Sequence, residues 1–199
     1  MFAIDATASR EHAWKAAKQT TDTLVKALPG ELDVALAVHG GSELKLFTSF
    51  TSNAATLRDH AAGTRCEAGL TRLVEVMDRT REAGGVRVLV YIGDAFEESL
   101  EEAEQAAISL RLRGTRVIIL HDAMPQSSEG DPAAQAFARI ASITGGTVLP
   151  FDRSSVERLR ELLAAIATLA VGGVKLLEGR VDALPAARQL LRLLRETGE

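Results

Sequence analysis

VRVLVYIGDA, from Val86 to Ala95, decides the fold. Val86–Ile92 is apolar apart from Arg87 and rich in β-branched side chains, and Gly93-Asp94 then stop the run. A strand with one wet face alternates polar and apolar residues. A nearly continuous Val/Ile/Leu run suits a strand buried on both faces of a parallel sheet. TRVIILH (Thr115–His121) repeats the pattern. Shorter runs of the same kind are FAID (Phe2–Asp5), LDVALAVH (Leu32–His39) followed by ELKLF (Glu43–Phe47), and TVL (Thr147–Leu149). Gly40-Gly41 separates two of these at hairpin spacing, which predicts one antiparallel strand at a sheet edge.

Helix periodicity fills the gaps. Trp14, Ala17, Thr21, Leu24 and Leu28 form one apolar stripe, ended by Pro29-Gly30. Leu70, Leu73, Val74 and Met77 form a second, Phe96, Leu100, Ala103, Ala107 and Leu110 a third, and Phe137, Ile140 and Ala141 a fourth. A fifth runs from Val156 to Leu169 behind a Ser154 or Ser155 cap, and a last candidate from about Leu184 to Leu194. Strands alternating with helices predict an α/β fold: a doubly wound, mostly parallel six-stranded sheet with helices on both faces. The expected division is a domain over residues 1–171 and a C-terminal helical extension over 172–199.

Composition narrows the function. The chain has 199 residues, with 46% hydrophobic, 25% charged and 4% aromatic side chains, ordinary values for a folded domain. A net charge of −4 lacks the basic footprint of a nucleic-acid binder. Cys66 is the single cysteine, so no intrachain disulfide forms. Asp5 and Arg10 interrupt any apolar leader, and Leu162–Val174 falls short of the roughly 20 residues of a membrane span. A cytoplasmic protein without membrane or nucleic-acid partners is the expectation, with a homo-oligomer allowed.

Ligands of an open parallel sheet bind beyond the carboxyl ends of its strands. The first strand ends in Asp5-Ala6-Thr7-Ala8-Ser9, the long central one in Gly93-Asp94, and Thr71 lies near a helix start between them. Asp5, Thr7, Ser9, Thr71 and Asp94 are an oxygen-only set, which selects a hard cation, Mg²⁺ or Mn²⁺, over zinc. Two carboxylates neutralise a divalent ion and hydroxyls add no charge, so such an ion still accepts an anionic group. His12, His39, His60 and His121 show no metal-ligand spacing. The acidic residues Glu97, Glu98, Glu101, Glu102 and Glu104 read as the solvated first turns of one helix, with an acidic rim that selects a partner as the alternative.

This pattern resembles the von Willebrand factor A (VWA) family and its metal-ion-dependent adhesion site. Asp5-Ala6-Thr7-Ala8-Ser9 is similar to that family's Asp-x-Ser-x-Ser motif, with Thr7 in place of Ser. Thr71 matches the distant threonine, and Asp94 the aspartate after the fourth strand, with Gly93 and Ala95 replacing the usual Thr and Gly. Ile140–Thr147 resembles the passage from helix to last strand in VWA domains, and the motifs are most similar to those of bacterial members. The resemblance covers about residues 2–171. It implies a Rossmann-like, VWA-like fold and a non-enzymatic interaction module, in which Mg²⁺ on the five oxygens accepts an Asp or Glu from a partner protein. Two alternatives stand beside it. One is a metal-dependent phosphotransferase or phosphatase, although no Gly-rich phosphate loop follows the first strand. The other is a VWA-like scaffold that has lost its metal.

Overall fold

A computed structural model describes residues 1–7, 21, 23–27, 32–121, 131–150 and 156–198. Among them, six strands form one sheet: β1 (Phe2–Asp5), β2 (Leu36–Gly40), β3 (Glu43–Phe47), β4 (Val88–Gly93), β5 (Arg116–His121) and β6 (Thr147–Pro150). Their order is β3-β2-β1-β4-β5-β6. All pairs are parallel except β2–β3, so the single antiparallel strand lies at the edge. The chain leaves β1 in one direction and β4 in the other, which opens a crevice at their carboxyl ends. Asp5 and Gly93 end the two strands that flank it.

The described helices are α1 (Thr23–Ala27), α2 (Ala54–Ala62), α3 (Leu73–Ala83), α4 (Leu100–Leu112), α5 (Pro132–Thr144), α6 (Val156–Glu178) and α7 (Pro185–Gly198). None is long and apolar enough to cross a membrane. Period-two alternation splits the strand side chains between two cores. Phe2, Ile4, Val38, Val90, Ile92 and Leu120 pack with Leu57 of α2 and Leu163 and Ile166 of α6. Ala3, Ala37, Leu89, Tyr91 and Ile119 pack with Met77, Leu110 and Phe137 of α3, α4 and α5. With both faces covered, every residue of β1 and β4 is buried, the physical reason for their unbroken apolar sequence.

Several boundaries follow local chemistry. Asp131 caps α5 by accepting from the Ala133 N–H at 2.9 Å, with Pro132 in the first turn, and Gly145 ends it at φ 66°. Gly173 breaks α6 at φ 66°, and the Arg87 guanidinium donates to the freed Val171 carbonyl at 2.6 Å. Beyond the break, Ala186, Ala187, Leu190 and Leu191 of α7 join Leu159, Leu162 and Leu163 in the first core. The apolar residues of Leu162–Ala170 therefore pack in the first core with the sheet and the C-terminal segment, while Val171 and Val174 are half-buried and Gly172 is exposed.

Some expectations need correction. Leu70 is no part of a helical stripe: α3 starts at Leu73, and Leu70 is 53% exposed. Helix α2 lies where the apolar periodicity predicts no helix. Its signal was Asn53, whose side chain accepts from the Ala55 and Thr56 N–H groups at the cap. Trp14, Ala17, Leu28 and the Ser154–Ser155 cap lie outside the described residues.

Candidate functional site

The carboxyl edge is assembled by three local devices. At the end of β1, Asp5 Oδ1 accepts the Thr7 N–H at 2.9 Å, a turn that closes the strand and aims the carboxylate along the crevice. Next, the 66–71 segment is laid against the β2–β3 turn. Glu67 N donates to Ala6 O at 3.0 Å and Gly41 N to Glu67 O at 3.1 Å. Ser42, at φ 66°, accepts the Leu70 N–H on its hydroxyl at 2.8 Å and the Arg72 Nε–H on its carbonyl at 2.7 Å. Gly69 fits beneath only because it has no Cβ, which would stand 2.2 Å from Ser42 N.

The third device comes from the opposite side of the crevice. Thr71 N donates to a Glu97 carboxylate oxygen at 3.2 Å, and Glu97 N donates back to Thr71 Oγ1 at 3.0 Å. The Glu98 carboxylate accepts the first N–H groups of α3, Leu73 at 2.6 Å and Val74 at 3.0 Å. With one lone pair taken by Glu97 N–H, the Thr71 hydroxyl keeps a second for an electrophile.

Glu97 and Glu98 are thus not the first turn of a solvated helix. Ser99 caps α4 by accepting from Glu102 N at 3.3 Å, and the two glutamates precede it and reach across to another helix. The Ser99-Leu100-Glu101-Glu102 capping pattern carried that boundary. Burial raises the Glu98 carboxyl above its usual range, against the lowering effect of its hydrogen bonds. The folded state therefore holds the Glu98 proton more tightly than the unfolded chain, and stability is lost as pH rises through the Glu98 pKa. Glu98→Ala abolishes that slope and strips the α3 cap. It should cost about 1–2 kcal/mol at neutral pH, read from urea midpoints over the carboxylate range.

Among the described residues, Asp5, Thr7, Thr71 and Glu97 line one cavity of about 200 Å³ together with Ala68, Gly69 and Ala95. Asp5 is fully buried, Thr71 1% exposed and Thr7 8% exposed, whereas Glu97 stands at the exposed mouth. Three of the five expected oxygen donors therefore meet. Asp94 follows β4 directly and its Oδ1 is shielded from solvent, but its side chain is not in the cavity wall. Ser9 lies outside the described residues. The donor chemistry fits a small hard cation: among the described residues the wall offers hydroxyls and carboxylates and no sulfur or imidazole. Among the described residues, no group of three His, Cys, Asp or Glu side chains is arranged to hold a metal, so the site depends on its threonines.

Beneath Asp5 runs a buried polar line that the sequence did not reveal. His39 is the register partner of Asp5, and its Nδ1 lies 3.8 Å from Asp5 Oδ1. Its Nε2 meets the Tyr91 hydroxyl at 3.0 Å. A ring protonated on Nδ1 suits both neighbours, facing the carboxylate with N–H and accepting from tyrosine. His121, one strand further, stacks edge-on against Phe137 with centroids 5.1 Å apart, and its Nε2 is 3.9 Å from Asp131 Oδ2. A larger cavity of about 420 Å³, walled by Leu24, Val86, Ile166 and Ala170 among others, lies at the opposite end of the strands, and its described residues offer no comparable oxygen set.

No family model matches the chain, and no curated protein matches it. Solved structures do. A von Willebrand factor type A protein from Catenulispora acidiphila superposes with a TM-score of 0.64 at 17% identity, over 84% of this chain and 42% of that one. Proximal thread matrix protein 1 from the mussel byssus gives 0.64 at 14% identity, over 83% of this chain and 44% of its own. The SpRpn10 VWA domain gives 0.62 at 9% identity, over 81% of this chain and 92% of the domain. This chain spans less than half the length of the first two.

Proposed function

We propose that this chain, whose fold is VWA-like, is a non-enzymatic protein-interaction module working through a divalent cation at the carboxyl edge of its sheet. Mg²⁺ or Mn²⁺ would be held by Asp5, Thr7 and Thr71, with Ser9 beside them and Asp94 acting directly or through water. The observation that carries this reading is the meeting of Asp5, Thr7 and Thr71 in one small cavity. A bound cation supplies a hard Lewis-acid position for an oxygen donor, here an Asp or Glu of the partner protein.

The chain's own residues supply the rest. The Asp5 turn and the Ser42 latch fix two donors before any ligand arrives, so little conformational freedom is lost on binding. Glu97 N–H and the Glu97 carboxylate hold Thr71 in place from the other side of the crevice. His39 supports the buried Asp5 carboxylate from below. Small neighbours, Ala68, Gly69 and Ala95, leave room for an incoming side chain.

Asp5→Asn tests the reading. Asparagine keeps an acceptor for the Thr7 N–H but removes half of the neutralising charge. Mg²⁺ and Mn²⁺ affinity in calorimetry should fall by about tenfold or more, the least that loss of a direct ligand brings. The melting temperature in chelator, the control for folding, should stay near that of the native chain. Capture of partner proteins should require the metal and vanish in chelator and in Asp5→Asn. A native chain that gives neither binding heat nor a metal-dependent thermal shift would leave only the scaffold reading. Phosphatase activity lost in Asp5→Asn would favour the enzyme.

A further inference from the structure

We propose that Glu97 is an internal ligand of this site: its carboxylate takes the cation's open position until a partner carboxylate displaces it. The inference rests on the cation reading above and adds a residue that the expected donor set lacks. Glu97 lines the same cavity as Asp5, Thr7 and Thr71 and stands at its mouth. Two hydrogen bonds tie it to Thr71, one from Thr71 N to its carboxylate and one from its own N–H to Thr71 Oγ1. Among the described residues of the cavity wall, Glu97 is the acid at the exposed mouth, while Asp5 is fully buried. Ala68, Gly69 and Ala95 are too short to compete for that position.

Charge sets the consequence. Among the described residues the cavity wall holds two carboxylates, Asp5 and Glu97, which together balance a divalent ion. With Glu97 in place the second carboxylate raises cation affinity and lowers the pull on an anionic partner, because affinity follows the ligand charge count. The partner must offer an acid that replaces Glu97, and a basic neighbour to meet the displaced carboxylate.

Mn²⁺ titration of the native chain and Glu97→Gln, with water-proton relaxation as the readout, decides the matter. Glutamine keeps a carbonyl acceptor for Thr71 N–H. Glu97→Gln should bind Mn²⁺ roughly tenfold more weakly. Relaxation enhancement per bound ion should rise, because an exchangeable water enters the vacated position. A role confined to positioning Thr71 would weaken binding without raising the enhancement, and that result overturns the proposal. Unchanged affinity and enhancement overturn it too. If the native chain takes up no Mn²⁺, the cation reading falls and this inference with it, a result distinct from either.

Discussion

Phe137→Ala should destabilise the protein by about 3–5 kcal/mol, the range for deleting a fully buried phenyl group. Phe137 has no exposed surface and is the hub of the second core. Its ring meets Tyr91 at 5.9 Å, His121 at 5.1 Å and Phe96 at 6.3 Å between centroids, all at edge-on angles. Edge-to-face pairs add about 0.5–1.5 kcal/mol beyond area burial, and removing Phe137 breaks three contacts at once. The void would open between β4, β5 and α5, whose backbones hold the floor of the crevice and cannot close it. Urea unfolding followed by far-ultraviolet circular dichroism measures the loss. A midpoint near the native one would show that α5 collapses onto the sheet and that the rings are interchangeable filler.

Gly69→Ala is the second large effect, and it strikes the site more than the core. A Cβ there would lie 2.2 Å from Ser42 N, 2.5 Å from Gly41 C and 2.7 Å from Gly41 Cα. All three are backbone atoms of a tight turn, so no side chain can swing aside. The 66–71 segment must lift off the β2–β3 turn, which breaks the Leu70–Ser42 bond and carries Thr71 out of the cavity. Overpacking of this kind costs about 1–3 kcal/mol. Under the cation reading, calorimetry should then show no Mg²⁺ heat while the far-ultraviolet spectrum stays native. Retained Mg²⁺ binding would mean that Thr71 is dispensable.

The sheet was legible because burial on both faces writes itself into consecutive residues. Val88–Gly93 is buried throughout and Arg116–His121 nearly so, and both read as strands from composition alone. Gly40-Gly41 likewise marked the single antiparallel pair. Strand ends follow from strands, so Asp5 and Thr7 could be placed at the carboxyl edge without coordinates. What stayed hidden is whatever depends on contacts between distant segments. Glu98 caps a helix that starts 25 residues before it, and no local pattern announces an anion at the end of another helix. Glu97 was hidden by the same charge run, which looks like any solvated helix start. His39 has no ligand spacing to any other histidine. Only the β1–β2 register, Asp5 opposite His39, gives it a meaning.

Tyr91 is the only tyrosine in the chain, and its hydroxyl rests on His39, which in turn faces Asp5. Nature has thereby wired a lone phenol to the very carboxylate whose charge matters most. Its ring-proton resonances form an unlabelled spectroscopic gauge of that carboxylate, readable in the unmodified molecule, with no competing signal of its kind.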